Sequence, residues 1–307
     1  MAKQYEDLME SGVKVKLDAS ERIIKAIGYV FVTFYAICCI VPFLIIVSTS
    51  FTSESLIREL GVQILPKGFT LEGYNMVLKG GTIFQSYLLT ITLTVVGTFV
   101  GLSIIAMTGY VLQRKDFEFR NGISFYIYFT SLFSAGLAPY YLLMTQTYNL
   151  KDSYFAVLLP LLMSPWLVIL MKNFVKAIPH EITESGKIDG AGDMRIFISL
   201  ILPMLKPALA TIGLFLALGY WNEWYQSSLF LSSKVDVKPL QYTLYEIVSK
   251  TDALKNSVAG QYVNITDIPT ESVKMANAVL ATGPIVLAYP FVQRYFISGI
   301  TVGAVKG

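Results

Sequence analysis

The stretch Phe84–Leu112, FQSYLLTITLTVVGTFVGLSIIAMTGYVL, contains no charged side chain and is longer than the ~20 residues a helix needs to cross a bilayer. Apolar and polar residues do not alternate in it with period two, so it does not read as a barrel strand. It reads as a transmembrane helix. Outward from it, comparable apolar runs occur at about Ile23–Ser50, Ile123–Met144, Tyr154–Met171, Ala208–Leu231 and Val273–Ile300. Composition agrees, with 54% hydrophobic and 15% charged residues in 307 and a mean hydropathy of +0.57. A soluble domain of this length needs more charged surface. The expected class is all-α, a polytopic membrane protein with six transmembrane helices.

Several chemistries are excluded by residue content. Cys38 and Cys39 are neighbours within the first run, where a helix points them apart; they read as apolar filler rather than a disulfide or metal pair. His180 is the sole histidine, which rules out histidine clusters and argues against a Ser-His-Asp triad. No metal site and no catalytic residue is expected. The chain has no G-x-x-x-x-G-K-[ST] phosphate loop and no short tandem repeat. If ATP drives this protein, the nucleotide sits on another chain.

Charge distribution sets an expected topology. Residues 1–22 are polar, with Lys3, Lys14 and Lys16, and Asp18-Ala-Ser-Glu21 has the form of a capping box opening the first helix. The first run is too long for a signal-peptide core and reads as an uncleaved span. Arg114, Lys115 and Arg120 crowd one short connection, and Lys172, Lys176, Lys187 and Arg195 lie in or beside another; Arg294 and Lys306 lie at the C-terminal end. The opposite set, 51–83, 145–153 and 232–272, has fewer basic residues near its span ends. This bias places both termini in the cytoplasm. Within the last outer segment Leu240–Val248 has an amphipathic helical pattern, and Asn256–Ile268 reads as irregular.

Ionisable residues inside spans are functional candidates because burying them is costly. One acid falls clearly within a span, Glu223, in Gly219-Tyr-Trp-Asn-Glu-Trp-Tyr-Gln226. Tyr220, Trp221, Trp224 and Tyr225 suit an interfacial aromatic belt. They equally suit a wet pathway in which Asn222, Glu223 and Gln226 meet a sugar-like solute and rings stack on it. Ser134-Ala-Gly136, Pro139, Pro160, Pro165, Gly283-Pro284 and Pro290 either bend helices around a channel or serve close helix packing.

One polar island remains, Ile178–Pro207. Pro179 fits the first turn of a short helix, with Glu181 and Glu184 near its positive end. Ile182, Ser185, Gly186, Asp189 and Gly190 share a face nearly free of bulk, which lets another surface approach the backbone. Gly190 offers a stop, and Pro203 and Pro207 redirect the chain. A helix lying on the lipid surface fits poorly, because its acids would face anionic lipid. A docking helix for a cytoplasmic partner fits better.

Glu184-Ser-Gly-Lys-Ile-Asp-Gly190, nine residues, then Leu200-Ile-Leu-Pro203, resembles the EAA motif of ABC importer permeases, Glu-Ala-Ala-x3-Gly-x9-Ile-x-Leu-Pro. Glu184, Gly190, Leu202 and Pro203 match; Ser185 and Gly186 stand for the alanines and Leu200 for isoleucine. Ile178-Pro179, Ile188-Asp189-Gly190-Ala191 and Trp221-Asn222 resemble the carbohydrate-uptake branch, similar to the maltose-type permeases. Pro239-Leu-Gln241, Tyr289-Pro-Phe-Val-Gln293 and Gly303-Ala-Val-Lys-Gly307 resemble a subset associated with oligosaccharide or polysaccharide-derived substrates.

The resemblance implies the MetI-like fold of type I ABC importer permeases. It divides the chain into a cytoplasmic segment 1–22 and a transmembrane domain 23–307, with the core at about 82–294 and a coupling helix at about 180–193. Glu184, Ser185, Gly186, Ile188, Asp189, Gly190, Ala191, Leu202 and Pro203 would couple to an ATPase; Tyr220, Trp221, Asn222 and Glu223 are candidates for the substrate pathway. Implied partners are a second homologous permease, two ATP-binding-cassette ATPase subunits, an extracytoplasmic solute-binding protein, membrane lipid and a carbohydrate, with no nucleic acid. ATP and Mg would sit on the ATPase subunits and no cofactor on this chain; the tail 303–307 resembles one that reaches between the ATPases. The competing expectation is a stand-alone secondary carrier or channel, against which the lack of ion-site residues and inverted repeats speaks. A membrane-embedded enzyme would want paired carboxylates or a histidine-bearing site.

Overall fold

The computed structural model describes residues 18–79, 81–256 and 271–304. Most of the N-terminal segment, nearly all of the passage 256–268 and the last residues of the tail lie outside the described residues. Among the described residues there are helices and one isolated antiparallel bridge, Thr52 to Phe69. This agrees with the all-α class.

Helix α1 (Ala19–Ser50) begins at the expected capping box. The Asp18 carboxylate accepts from the Ala19 N–H at 2.7 Å, and the Glu21 carboxylate accepts from the Asp18 N–H at 3.2 Å. From Arg22 to Ile40 every residue of this helix is exposed. A helix apolar on all sides with so little packed against it belongs in lipid. It packs on the body through its end, where Ser48, Thr49 and Ser50 are buried, and its main neighbour is the last helix.

Short helices α2 (Glu54–Leu60) and α3 (Glu72–Leu78) follow, then the long α4 (Thr82–Val111). α5 (Arg120–Leu132) and α6 (Leu137–Leu142, continuing as a wide turn to Thr147) replace the single span expected at Ile123–Met144. The two pieces are bent by 114°. Phe133 is extended and Gly136 has φ +89°, a left-handed conformation that a side chain would strain. The Ser134-Ala-Gly136 signal therefore breaks the helix rather than serving only its packing.

α7 (Phe155–Leu158) and α8 (Pro165–Lys176) together cover the fourth run, joined through a tight turn at Leu159–Leu161. The polar island holds α9 (Glu181–Ile188), α10 (Asp193–Ile196), a wide turn Phe197–Ile201 and α11 (Leu202–Met204). α12 (Lys206–Trp221) leaves α10–α11 at 84°. Pro207 has no N–H with which to continue the ladder across the corner. The fifth run is interrupted as well, restarting as α13 (Tyr225–Phe230). α14 (Leu240–Asn256) extends the expected amphipathic helix, and α15 (Glu271–Ala304) covers the sixth run without a break. By length and apolarity α1, α4 and Phe155–Lys176 can each cross a membrane, and the two bent pairs can do so jointly.

α4 is the hub, packing most extensively on α12 and α8. Gly97, Gly101 and Gly109 recur every fourth residue or multiple of it along one stripe. A Cβ at Gly97 would enter the Tyr220 ring, one at Gly101 would lie 2.8 Å from the Leu162 carbonyl oxygen, and one at Gly109 would lie 2.6 Å from Met171 Cγ. Such small-residue stripes let membrane helices meet backbone to backbone. The main core continues below, with Ile105, Met171, Ile196, Ile201 and Ile212 almost fully buried.

At the opposite end a second cluster gathers Val77, Ile83, Leu240, Leu244, Val273 and Ala276. There the buried Glu54 carboxylate accepts from the backbone N–H groups of Glu271 (3.1 Å) and Ser272 (3.0 Å) and from Arg58 at 3.3 Å. It caps α15 across more than two hundred residues of chain and neutralises the positive end of that helix.

The stripe makes a direct prediction. Gly101→Ala places a methyl against a backbone oxygen that cannot swing aside, and should cost about 1–3 kcal/mol. Gly122→Ala, where a Cβ meets nothing within 4 Å, should cost nothing measurable. Thermal unfolding of the two detergent-solubilised variants checks the contrast.

Candidate functional site

The polar island is built on α9. Its first turn carries Glu181 and Glu184 and its last turn Lys187, so the charges follow the helix dipole. His180 occupies the N-cap position and Glu181 begins the helix, so Pro179 lies just before the N-cap rather than in the first turn, and its carbonyl accepts from the Ile182 N–H at 3.4 Å. His180 Nε2 lies 3.5 Å from Glu184 Oε1. The helix stops as the sequence suggests. Asp189 is the C-cap and Gly190 has φ +75°; the Gly190 N–H donates to Lys187 O and the Ala191 N–H to Gly186 O, both at 3.0 Å. This pairing satisfies two carbonyls otherwise left open, and the left-handed residue in it needs glycine.

The face expected to be free of bulk is divided between inside and outside. Gly186 and Thr183 are buried, and a Cβ at Gly186 would come 3.0 Å from Leu200 and 3.1 Å from Ile196. The close approach at Gly186 is thus made by this chain's own following segment. Ser185, Asp189 and Gly190 are exposed together with Glu181, Glu184 and Lys187. Ile188, 86% exposed, projects as a large apolar side chain among those polar groups. Ala191 and Leu202 are half-buried against the core, and Pro203 is exposed at the turn toward α12.

A set of charges grips α9 from the short connection after α4. Arg114 bridges Asp116 at 2.6 Å and Asp193 of α10 at 2.8 Å, while Lys187 of α9 reaches Asp116 at 2.7 Å. The Arg114 guanidinium also lies 5.9 Å over the Tyr110 ring, which packs on Phe197. Hydrogen bonds from Arg114, and next from Lys187, hold the Asp116 carboxyl well below the usual carboxylate range. The same carboxylates, Asp116 first, push Arg114 further up. Charge counting treated Arg114, Lys115 and Arg120 as topology markers and overlooked Asp116 and Asp193. The available signal was acids set within two basic connections, Asp116 and Glu118 in one and Glu181, Glu184, Asp189 and Asp193 in the other.

The four pathway candidates are not presented together. Tyr220 is 2% exposed, its hydroxyl donating to Leu158 O at 2.8 Å. Trp221 Nε1 donates to Ala281 O at 3.1 Å. Glu223 is buried; its carboxylate accepts from the Gln226 N–H, from the Ser227 N–H at 3.3 Å and from the Ser227 hydroxyl at 2.6 Å, capping α13. Of the four, Asn222 alone is exposed. Among the described residues no group of three or more His, Cys, Asp or Glu side chains could hold a metal ion.

Residues 100–302 match the family described as the binding-protein-dependent transport system inner membrane component. The chain belongs to that family. Among its relatives is the polygalacturonan/rhamnogalacturonan transport system permease protein YtcP of Bacillus subtilis (strain 168), 34% identical over 93% of this chain and 99% of the relative. The arabinooligosaccharides transport system permease protein AraQ of the same organism is 29% identical over 83% of this chain and 86% of the relative. The fold is similar to a crystal structure of a bacterial ABC transporter involved in the import of the acidic polysaccharide alginate, with a TM-score of 0.78 and 29% identity over 92% of this chain and all of that one. Membership makes this a membrane-embedded transport component, and its relatives are sugar transport permeases.

The charge clasp has a pH signature. Asp116 titrates lower in the folded chain than unfolded, so its contribution is fully present above the unfolded value of about 4 and is lost as pH falls toward the folded one. Asp116→Asn should destabilise the chain by about 1 kcal/mol or less above pH 5, with the difference from wild type shrinking in stronger acid. Melting curves of both proteins from neutral to acid pH test this.

Proposed function

We propose that this chain is the membrane permease of an ATP-driven importer for a carbohydrate, an oligosaccharide rather than a single sugar. The substrate would arrive on an extracytoplasmic binding protein. Family membership supports the transport role, and the relatives named for polygalacturonan, rhamnogalacturonan and arabinooligosaccharides support the substrate class. The observation that carries the mechanism is the presentation of α9. A short helix stopped by a left-handed glycine exposes Ile188 within a ring of both charges, and its inner face is fixed to the core through Gly186.

In this reading Ile188 is the apolar anchor and Glu184, Ser185 and Asp189 are the rim of a helix-in-groove contact with an ATPase subunit. ATP and Mg are held on two such subunits. Their closure pushes α9; the clasp to Asp116 and Asp193 and the packing of Leu200 on Gly186 carry that push into α4 and α12. Leu202 and Pro203 form the rigid corner through which it turns. The polar island lies on the cytoplasmic side with both termini, as the basic residues around it indicate, and α15 is the sixth span. A second homologous permease covers part of the remaining apolar surface. No step of ATP hydrolysis belongs to this chain.

Ile188→Asp or Glu184→Arg should lower ATP-dependent oligosaccharide uptake by the assembled complex at least about tenfold, equivalent to roughly 1.4 kcal/mol of coupling free energy. The amount of chain in the membrane should not change. Normal uptake by these variants with ATPase subunits still bound would show that α9 is not the coupling element.

A further inference from the structure

Between α4, α5 and α8, at the end nearest the polar island, lies a cavity of ≈ 390 Å³. Ile127, Val168 and Ile169 form apolar wall, while Lys172 and Lys176 of α8 and Ser124 of α5 supply polar groups. The two lysines are one helical turn apart and share a face. Lys172 Nζ donates to Ser124 Oγ at 2.8 Å, which holds the ammonium in the cleft between the two helices. No acidic residue lines the cavity, and among the described residues neither lysine has a carboxylate within ion-pair distance. The neighbouring cations behave differently: Arg114 and Lys187 each meet an aspartate at under 3 Å. Two positive charges are therefore collected at one mouth with no ion pair among the described residues, Lys176 also bordering the adjoining cavity that Asp116 and Glu181 line.

The place of that mouth limits what can supply the anion. It opens where α8 ends at Lys176 and where α5 begins, the level at which apolar helices leave the hydrocarbon layer. Phe125, Tyr126 and Phe129 are exposed on the other face of α5, so that helix is apolar toward its surroundings as well as toward the cavity. We propose that this cavity is a binding site for an anionic glycerophospholipid. Its phosphate sits between Lys172 and Lys176 in charge-assisted hydrogen bonds, and a chain lies along the Ile127–Val168 wall. A zwitterionic lipid offers the same phosphate but brings its own cation, so the lysine pair selects a net negative headgroup. The site needs only that the chain lies in a bilayer, and stands apart from the coupling role given to α9.

The test uses the full chain in its assembled complex, reconstituted in mixed phosphatidylglycerol and phosphatidylcholine bilayers, extracted gently and weighed by native mass spectrometry. Wild type should retain phosphatidylglycerol in preference to phosphatidylcholine. Lys172→Ala/Lys176→Ala should lose roughly ten- to thirtyfold of that preference, and Lys172→Arg/Lys176→Arg should keep it. A Lys115→Ala/Arg195→Ala control, outside the cavity, should also keep it. Equal retention by the alanine pair, or equal loss in the control, would overturn the site in favour of diffuse surface attraction. Displacement of the lipid by millimolar inorganic phosphate alone would overturn the lipid in favour of a free anion.

Discussion

The backbone-to-backbone contact along one stripe of α4 is the constraint on which the other elements depend. Because Gly97, Gly101 and Gly109 have no side chains, Tyr220, the Leu162 carbonyl and Met171 can lie against the helix itself. That contact seats α12 and the α7–α8 segment, the two elements between which the polar island is strung. The ends of the island are therefore set by α4, and its middle is gripped by Arg114 and Asp116 just beyond the end of α4. One helix places all three attachment points. In a membrane, where lipid offers no hydrophobic incentive for helices to associate, such close packing carries more of the organising role than it would in water.

The two buried carboxylates among the described residues cap helix N-termini. Glu54 caps α15 from the first turn of the distant α2, and Glu223 caps α13 from the preceding residues. Both solve the same problem: a helix that starts inside the protein exposes N–H groups that water does not reach, and an anion placed there satisfies them and the local dipole together. Glu223 thereby closes the break between α12 and α13, and leaves Asn222 as the candidate in that segment with its side chain outside.

Much of the architecture was legible without coordinates. The apolar runs, the capping box at Asp18, the amphipathic start of α14 and the glycine stop at Gly190 are local events, decided by hydropathy or by backbone conformation over a few residues. The bends were half legible. Gly136 and Pro207 mark where the chain can turn, but a proline or glycine in a membrane helix is compatible with a mild kink or a right-angled corner, and the neighbours choose between them. The face of α9 is divided for a related reason: spacing places Gly186 and Ser185 on one side, yet says nothing about whether a partner or Leu200 of the same chain fills the space beside them.

The sequence by itself determined a membrane-embedded helical chain, a few helix ends such as the start of α1 and the stop of α9, and the motif that places it among importer permeases, because each of these is written within one turn or one apolar run. Tertiary structure decided which glycines are contact points, that Asp116 joins two loops, that Glu223 serves a cap, and that Lys172 and Lys176 share one cavity with no ion pair among the described residues. Those properties belong to pairs of residues tens to hundreds of positions apart, and a chain's spacing does not encode a distance across space until the helices have packed.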